Sequence, residues 1–214
     1  MKKIIITLLV LSLMVFAVAC GNNEPAPPAE KPAETTEAPE TTEAPETSDS
    51  TESAGDFSAE EPALLTSVGQ SADVEMVKSM LDRVGVQYES NNLATSADIG
   101  DAKTLILAVG GSSKGLGAAG IDADAEVARV SELVEAADSQ GLNIIAVHIG
   151  GEARRGELSD KFIGPSFEKA DHAIVVKAGD SDGMMSNLAA DSGIGIELID
   201  SITDTTAALE GVFK

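Results

Sequence analysis

The chain has 214 residues and a formal net charge of −22 at pH 7, and only 3% of its residues are aromatic. A nucleic-acid partner needs a basic face that releases counterions, and a strong acidic excess argues against one. Stacking platforms for sugars or single-stranded nucleic acid need more aromatic rings than this composition supplies. The sequence therefore predicts no nucleic-acid partner.

The first 20 residues follow the order of a secretory signal: Lys2 and Lys3, an apolar run over 4–19, and small residues before the lone Cys20. This pattern resembles a bacterial lipoprotein signal peptide, in which the chain is cut before the cysteine and the thiol carries a diacylglycerol. A retained membrane-spanning helix is the alternative, but the run lies at or below the lower limit of about 17 residues. Two acyl chains give stable anchoring, so the resemblance implies a lipid anchor at Cys20 on the extracytoplasmic face of the cell membrane.

Residues 21–62 differ sharply in composition from the rest of the chain. They contain seven of the eight prolines and twelve acidic residues against one base, Lys31. The hexapeptide Glu-Thr-Thr-Glu-Ala-Pro occurs at 34–39 and again at 40–45. Such a segment buries too little apolar surface to offset its ordering entropy, which predicts a disordered acidic tether. We expect a passive spacer, with a glycosylated stalk as the alternative.

Residues 63–214 are predicted to form one α/β domain, because short apolar runs alternate with amphipathic helical patterns. The predicted strands are 64–68, 86–89, 103–109, 143–148, 172–176 and 196–199. The predicted helices start at 71 or 73 and end at 83, and then cover 123–139, 161–170, 183–190 and 203–213. Loops are expected over 110–120 and from 149 to 160, and Gly164-Pro165 should break or restart the third helix.

Continuous apolar strands with helices between them favour a parallel sheet that is covered on both faces. The fold class is therefore a single doubly wound, mostly parallel sheet of five to six strands, Rossmannoid or flavodoxin-like, preceded by the disordered tether. The pattern of apolar runs leaves the order of the strands open.

Ligands of such sheets bind in the crevice beyond the carboxyl ends of the strands. The loops at that edge are rich in Gly, Ser and cations, although the chain is acidic, which predicts a small anionic ligand, a carboxylate or a phosphate. The candidate ligand-binding residues are Ser67, Gln70, Ser71, Gly110, Gly111, Ser112, Lys114, His148, Arg154, Arg155 and Lys177. The alternative is that these glycines only form tight turns and the cations are solvated surface.

Several motifs in the sequence match part of a known site pattern without completing it. Residues 115–120 match G-x-G-x-x-G, but the next strand ends in His148 rather than in the acid that a dinucleotide site needs, so no cofactor is expected. Asp180 and Asp182 form half of a calcium-loop pattern, which helix N-capping explains better. With two histidines and no free thiol, a metal site is not expected. His148 is a candidate polar contact or general base, and a structural histidine is the alternative.

Four stretches carry a family resemblance: 105–117, 147–151, 160–163 and 172–176. They resemble a family of bacterial lipoprotein domains with no assigned function, which implies an extracytoplasmic α/β domain and supplies no reaction. Three hypotheses follow. The first is a receptor for a small anion that serves a membrane transporter, and the second is an interaction or scaffolding module of a membrane complex. The third is an enzyme that uses His148. Binding is preferred over catalysis.

Overall fold

The computed structural model of the protein describes residues 57–214. Cys20 with its lipoprotein pattern, and the predicted tether as far as residue 56, lie outside these residues. The strands are β1 (Ala63–Val68), β2 (Tyr88–Ser90), β3 (Thr104–Val109), β4 (Asn143–His148), β5 (His172–Val176) and β6 (Gly195–Ile199). The helices are α1 (Asp73–Val84), α2 (Ser113–Ala119), α3 (Ala123–Ser139), α4 (Glu157–Phe167), α5 (Met184–Ser192) and α6 (Thr205–Val212).

The six strands form one sheet in the order β2-β1-β3-β4-β5-β6, and every neighbouring pair is parallel. The predicted α/β class with a parallel sheet is therefore confirmed. The order is that of a flavodoxin-like sheet extended by one strand, and it reverses between β1 and β3. In doubly wound sheets this reversal is the place where ligands bind, so the loops after β1 and β3 are the first place to look for a site.

Helices cover both faces of the sheet, as a doubly wound fold requires. On β3, Leu105 and Leu107 pack with α2, α3, α4 and α5, whereas Ile106 and Ala108 pack with α1 and α6. This alternation is the two-residue period of a strand with both faces buried. The six side chains of β3 are all buried, which accounts for its apolar sequence.

The expectation of a loop over 110–120 was wrong, because α2 occupies most of it. The Ser112 side chain accepts a hydrogen bond from the Gly115 amide and begins the helix, and Gly120, at φ +72°, ends it. Leu116 is buried against the core and holds this short helix to the sheet. Capping and one buried leucine outweigh the low helix propensity of two interior glycines.

The third predicted helix was also placed wrongly. The structure has α4 over Glu157–Phe167, with Pro165 inside the last turn, instead of a helix over 161–170 that breaks at Gly164-Pro165. Phe162, Ile163 and Phe167 are fully buried. Burying such side chains stabilises by about 1.5–3 kcal/mol each, which together exceeds the roughly 3 kcal/mol cost of a proline in a helix.

The chain already packs on the domain before β1. The Ala59 amide donates a hydrogen bond to the Val212 carbonyl at 2.6 Å, and the Phe57 ring stacks on His172 with centroids 5.1 Å apart. Across residues 57–214, none of the helices combines the length and apolar character that crossing a bilayer requires.

Candidate functional site

The loops after β1 and β3 meet at the point where the strand order reverses, and backbone hydrogen bonds join them. The Gly110 amide donates to the Val68 carbonyl at 2.9 Å, and the Ser112 amide donates to the Gly69 carbonyl at 2.8 Å. Gln70 and Gly111 form an antiparallel bridge beside these bonds. The crevice that normally receives a ligand between these two loops is therefore closed by the chain itself.

Glycine at position 69 makes this closure possible. Gly69 has φ +89°, and a Cβ there would lie 2.6 Å from the Gly110 carbonyl oxygen and 2.7 Å from the Phe162 ring. Only a residue without a side chain permits both the backbone angle and the close approach of the two loops. The loop glycines thus serve packing between loops, at least at this position.

The backbone amides of the glycine-rich loop are also engaged internally. The Gly69 amide donates to Glu126 Oε1 at 2.9 Å, the Gly111 amide to Ser159 Oγ at 3.1 Å, and the Gly115 amide to Ser112 Oγ at 3.0 Å. A phosphate cradle needs several such amides directed at the ligand. The G-x-G-x-x-G match at 115–120 lies within α2 and at its end, rather than in an open loop after a strand.

A buried ion pair that was not predicted from the sequence lies under the loop after β1. Glu126 is fully buried, and its Oε2 accepts a hydrogen bond from Arg129 Nε at 2.8 Å. Arg129 also donates to the Ser67 carbonyl at 2.6 Å, and Glu126 accepts from the Gln70 side chain at 2.9 Å. The sequence signal for this pair was the spacing of three residues between Glu126 and Arg129, which places both on one face of a helix.

Hydrogen bonds set the protonation of Glu126. Burial alone would raise the pKa of the Glu126 carboxyl, but the Arg129 guanidinium and the amides of Gly69 and Gln70 bring this pKa below its ordinary value. Glu126 is therefore a carboxylate that fixes the loop after β1. Ser67 contributes its carbonyl to this arrangement, while its hydroxyl is buried and has no partner among residues 57–214.

Three of the four predicted anion-binding cations form ion pairs with carboxylates of the chain: Arg155, Lys177 and Arg154. Arg155 Nε donates to Asp160 at 2.8 Å, and its two terminal nitrogens donate to the two oxygens of Asp182 at 2.9 Å each. These contacts raise the pKa of Arg155, and the same guanidinium lowers the pKa of Asp182. Lys177 pairs with Asp200 at 2.8 Å on the exposed surface. Arg155 joins the loops after β4 and β5, so its contacts serve structure.

Arg154 is bound differently. Its Nε donates to Asp73 Oδ2 at 2.9 Å, and the Asp73 side chain is only 5% exposed whereas that of Arg154 is 30% exposed. Within residues 57–214, neither Nη1 nor Nη2 of Arg154 donates to any group. Lys114 is exposed and forms no ion pair with a described residue. These two side chains are the positive groups of the predicted site that remain open to a ligand.

The Asp73–Arg154 pair fits between two glycines. A Cβ on Gly150 would lie 1.9 Å from Arg154 Cγ, and one on Gly110 would lie 2.9 Å from both Asp73 Oδ2 and Ser71 Oγ. Glycine at both positions therefore makes room for the pair. Five residues thus meet at one point of the carboxyl edge. We call them the Arg154 cluster: Ser71, Asp73, Gly110, Gly150 and Arg154.

His148 lies under this cluster and out of contact with solvent. Its ring is fully buried, and Nε2 lies 3.0 Å from the Arg154 carbonyl oxygen. A carbonyl only accepts, so Nε2 carries the proton and Nδ1 has no partner among the described residues. Burial lowers the pKa of His148. The imidazole holds the turn that carries Arg154, which fits a structural histidine better than a general base.

Asp180 and Asp182 bond to the first turn of α5. Asp180 accepts from the Met185 amide at 2.6 Å, and Asp182 accepts from the Met184 amide at 3.2 Å. The N-cap residue itself is Gly183, which has no side chain to cap the helix. The two aspartates, expected to be N-caps, instead satisfy the first-turn amides from the preceding loop. In the part of the chain that the structure describes, no three His, Cys, Asp or Glu side chains are placed to hold a metal ion.

Two cavities lie at the opposite edge of the sheet, beside the amino ends of the strands. Their volumes are about 360 Å³ and 220 Å³, and both are lined by Gly100, Asp101 and Ala102. The larger cavity is open and polar, with Lys103 and Asn143 in its wall. The sequence did not indicate this edge, because the expected parallel sheet and the composition of its loops direct attention to the carboxyl ends of the strands.

The fold and this geometry define a flavodoxin-like α/β domain with a closed switch point and one arginine cluster at its carboxyl edge. Residues 60–213 match a family described as a domain of unknown function, DUF6305, and the chain belongs to that family. No curated protein and no solved structure matches the chain. The expectation of an uncharacterised domain family is thereby confirmed.

Proposed function

We propose that the protein is a lipid-anchored extracytoplasmic binding protein whose domain takes a small anionic ligand at the carboxyl edge of the sheet. The observation that supports this proposal is the Arg154 cluster. Its guanidinium is fixed through Nε by the buried Asp73 and is part-exposed, and its terminal nitrogens make no bond within residues 57–214. Arginine in this state is suited to binding carboxylate or phosphate oxygens.

Anion titration of the full chain tests the ligand-binding part. Calorimetry or NMR with a panel of small carboxylates and phosphates should give saturable binding of about millimolar affinity, since one exposed guanidinium provides few contacts. Arg154→Gln should abolish it, whereas the control Lys161→Gln, an exposed lysine 3.9 Å from Asp124, should leave it unchanged. Flat responses for every anion would refute this function.

The anchoring part is tested through Cys20. Cells fed radioactive palmitate should label the unaltered chain, and Cys20→Ser should remove the label. The lipid anchor places the domain at a membrane surface, where a transporter for the bound anion is the partner that the receptor hypothesis implies. An unlabelled chain that fractionates with the cytosol would refute this localisation.

A second function, docking of a protein from a membrane complex, is favoured by a different observation. The loops after β1 and β3 are bonded to each other, so the carboxyl edge offers a surface rather than a deep crevice for a small molecule. Surfaces suit protein partners, which gain affinity from area that a small ligand lacks. Cross-linking in intact membranes from a photoreactive residue at position 114, which is exposed at the same edge and leaves Arg154 in place, separates the two functions. A protein adduct that forms equally well in Arg154→Gln favours docking, whereas an adduct that depends on Arg154 and on added anion favours the receptor.

A further inference from the structure

Arg154 is held at its backbone carbonyl and at its guanidinium Nε before any ligand arrives. His148 Nε2 donates to the Arg154 carbonyl at 3.0 Å, and Arg154 Nε donates to Asp73 at 2.9 Å. Gly150 packs against the first carbons of the side chain. A guanidinium fixed in this way loses little conformational entropy when a ligand binds, which is the advantage of preorganisation.

Arg155, the next residue, shows what such a guanidinium binds in this protein. Its Nη1 and Nη2 donate to the two oxygens of the Asp182 carboxylate at 2.9 Å each, in the parallel geometry of a bidentate pair. The corresponding Nη1 and Nη2 of Arg154 make no such bond to any residue of the 57–214 segment. Arg154 therefore offers two parallel N–H donors that match one carboxylate.

A tetrahedral dianion needs more than this site can supply. The nearby amides of Gly110, Gly111 and Ser112 already donate to Val68, Ser159 and Gly69, so they are not directed at a ligand. The Asp73 carboxylate lies beside the guanidinium and cancels its charge at close range. Phosphate sites combine several amides with excess positive charge, and the Arg154 cluster has neither.

We infer that the ligand of the proposed binding function is a monocarboxylate, bound through both of its oxygens by Nη1 and Nη2 of Arg154. This inference rests on the proposed function and narrows its ligand from anions in general to one class. Formate and acetate contain the recognised group and little else, so they are the appropriate probes.

The test is an NMR titration of the isotope-labelled full chain with acetate or formate, and with phosphate or sulfate at matched ionic strength. Acetate should shift the Arg154 side-chain signals and the Gly110 and Gly150 amides, with saturation in the millimolar range. Arg154→Lys keeps the charge but lacks the planar donor pair, so acetate should bind about tenfold more weakly. Lys161→Gln should bind acetate as the unaltered chain does.

The possible outcomes separate the inference from the function on which it rests. Phosphate binding at Arg154 that equals or exceeds acetate binding would overturn the carboxylate inference and leave the anion-binding function standing. Acetate binding that persists unchanged in Arg154→Lys would overturn the bidentate geometry. If no anion moves the signals of the Arg154 cluster in the folded, unaltered chain, both the inference and the proposed function fail.

Discussion

The buried pair Glu126–Arg129 is the polar contact whose removal should cost the domain most. Glu126→Ala removes the acceptor of the Gly69 amide and of the Gln70 side chain, and it leaves the Arg129 guanidinium, 11% exposed, without its counter-charge. Breaking one partner of a buried pair typically costs about 3–5 kcal/mol. Arg129 keeps its bonds to the carbonyls of Ser67 and Ala94, so we expect a loss toward the lower end, about 3 kcal/mol.

Urea and thermal unfolding of the full chain measure this loss. A fall of about 3 kcal/mol lowers the melting temperature of a domain of this size by roughly 6–12 °C. The matched control is Glu132→Ala, an exposed acid on the same helix, which should change stability by no more than about 0.5 kcal/mol. A loss below about 1 kcal/mol for Glu126→Ala would refute the reasoning that this pair fixes the loop after β1.

The pair also has a predicted pH dependence. The folded-state pKa of Glu126 lies below its ordinary value of 4.5, so its contribution is complete above that value and is lost as pH falls through the folded pKa. Replacing both residues with apolar ones, Glu126→Leu with Arg129→Met, should recover the part of the loss that comes from the unpaired guanidinium. It should not restore full stability, because the Gly69 amide and the Ser67 carbonyl lose their partners. A double variant as unstable as the single one would contradict this account.

Three further outcomes are expected. Gly150 has φ −76°, which alanine adopts freely, so Gly150→Ala tests only the space available to a side chain. It should displace Arg154, lower stability by about 1–3 kcal/mol and weaken acetate binding. The control Gly117→Ala, in open space, should have none of these effects. Burial lowers the pKa of His148 and His172 below 6.5. The contribution of these two neutral imidazoles to stability should therefore be complete above about pH 6.5 and should fall as the pH drops below that value. Urea unfolding midpoints at about pH 7.5 and about pH 5.5 would measure this difference. His172→Phe should reduce this dependence of stability on pH, and an unchanged dependence would contradict the lowered pKa of His172.

Most of the sheet was predictable because its strands are buried on both faces. A run such as Leu105 to Val109 has few structures open to it other than a central parallel strand, and helices with clear apolar faces, such as 123–139, were placed correctly. The errors fell where local propensity and tertiary burial disagree. Glycines in α2 and Pro165 in α4 both predict an end to helix, and in both helices buried side chains decide otherwise.

The position of the candidate site was predictable, but the bonding of its side chains was not. The loops at the carboxyl edge do bring Ser71, Gly110 and Arg154 together, as the strand pattern indicated. What the sequence did not reveal is which groups are already bonded. Arg154 pairs with Asp73, 81 residues away, and Arg155 pairs with Asp182, 27 residues away. Such partners are set by the strand order, which the sequence left open.

Cations in an acidic domain carry little information about ligands until their partners are known. Every guanidinium folded among many carboxylates tends to find one, because an uncompensated buried charge is costly, and Arg129 and Arg155 both follow this rule. Arg154 departs from it in one respect, since its carboxylate partner occupies Nε and not the terminal nitrogens. The two terminal nitrogens that the fold does not use are therefore the groups available to a ligand, and any chain of this family that keeps Asp73, Gly150 and Arg154 in this arrangement would offer the same pair of donors.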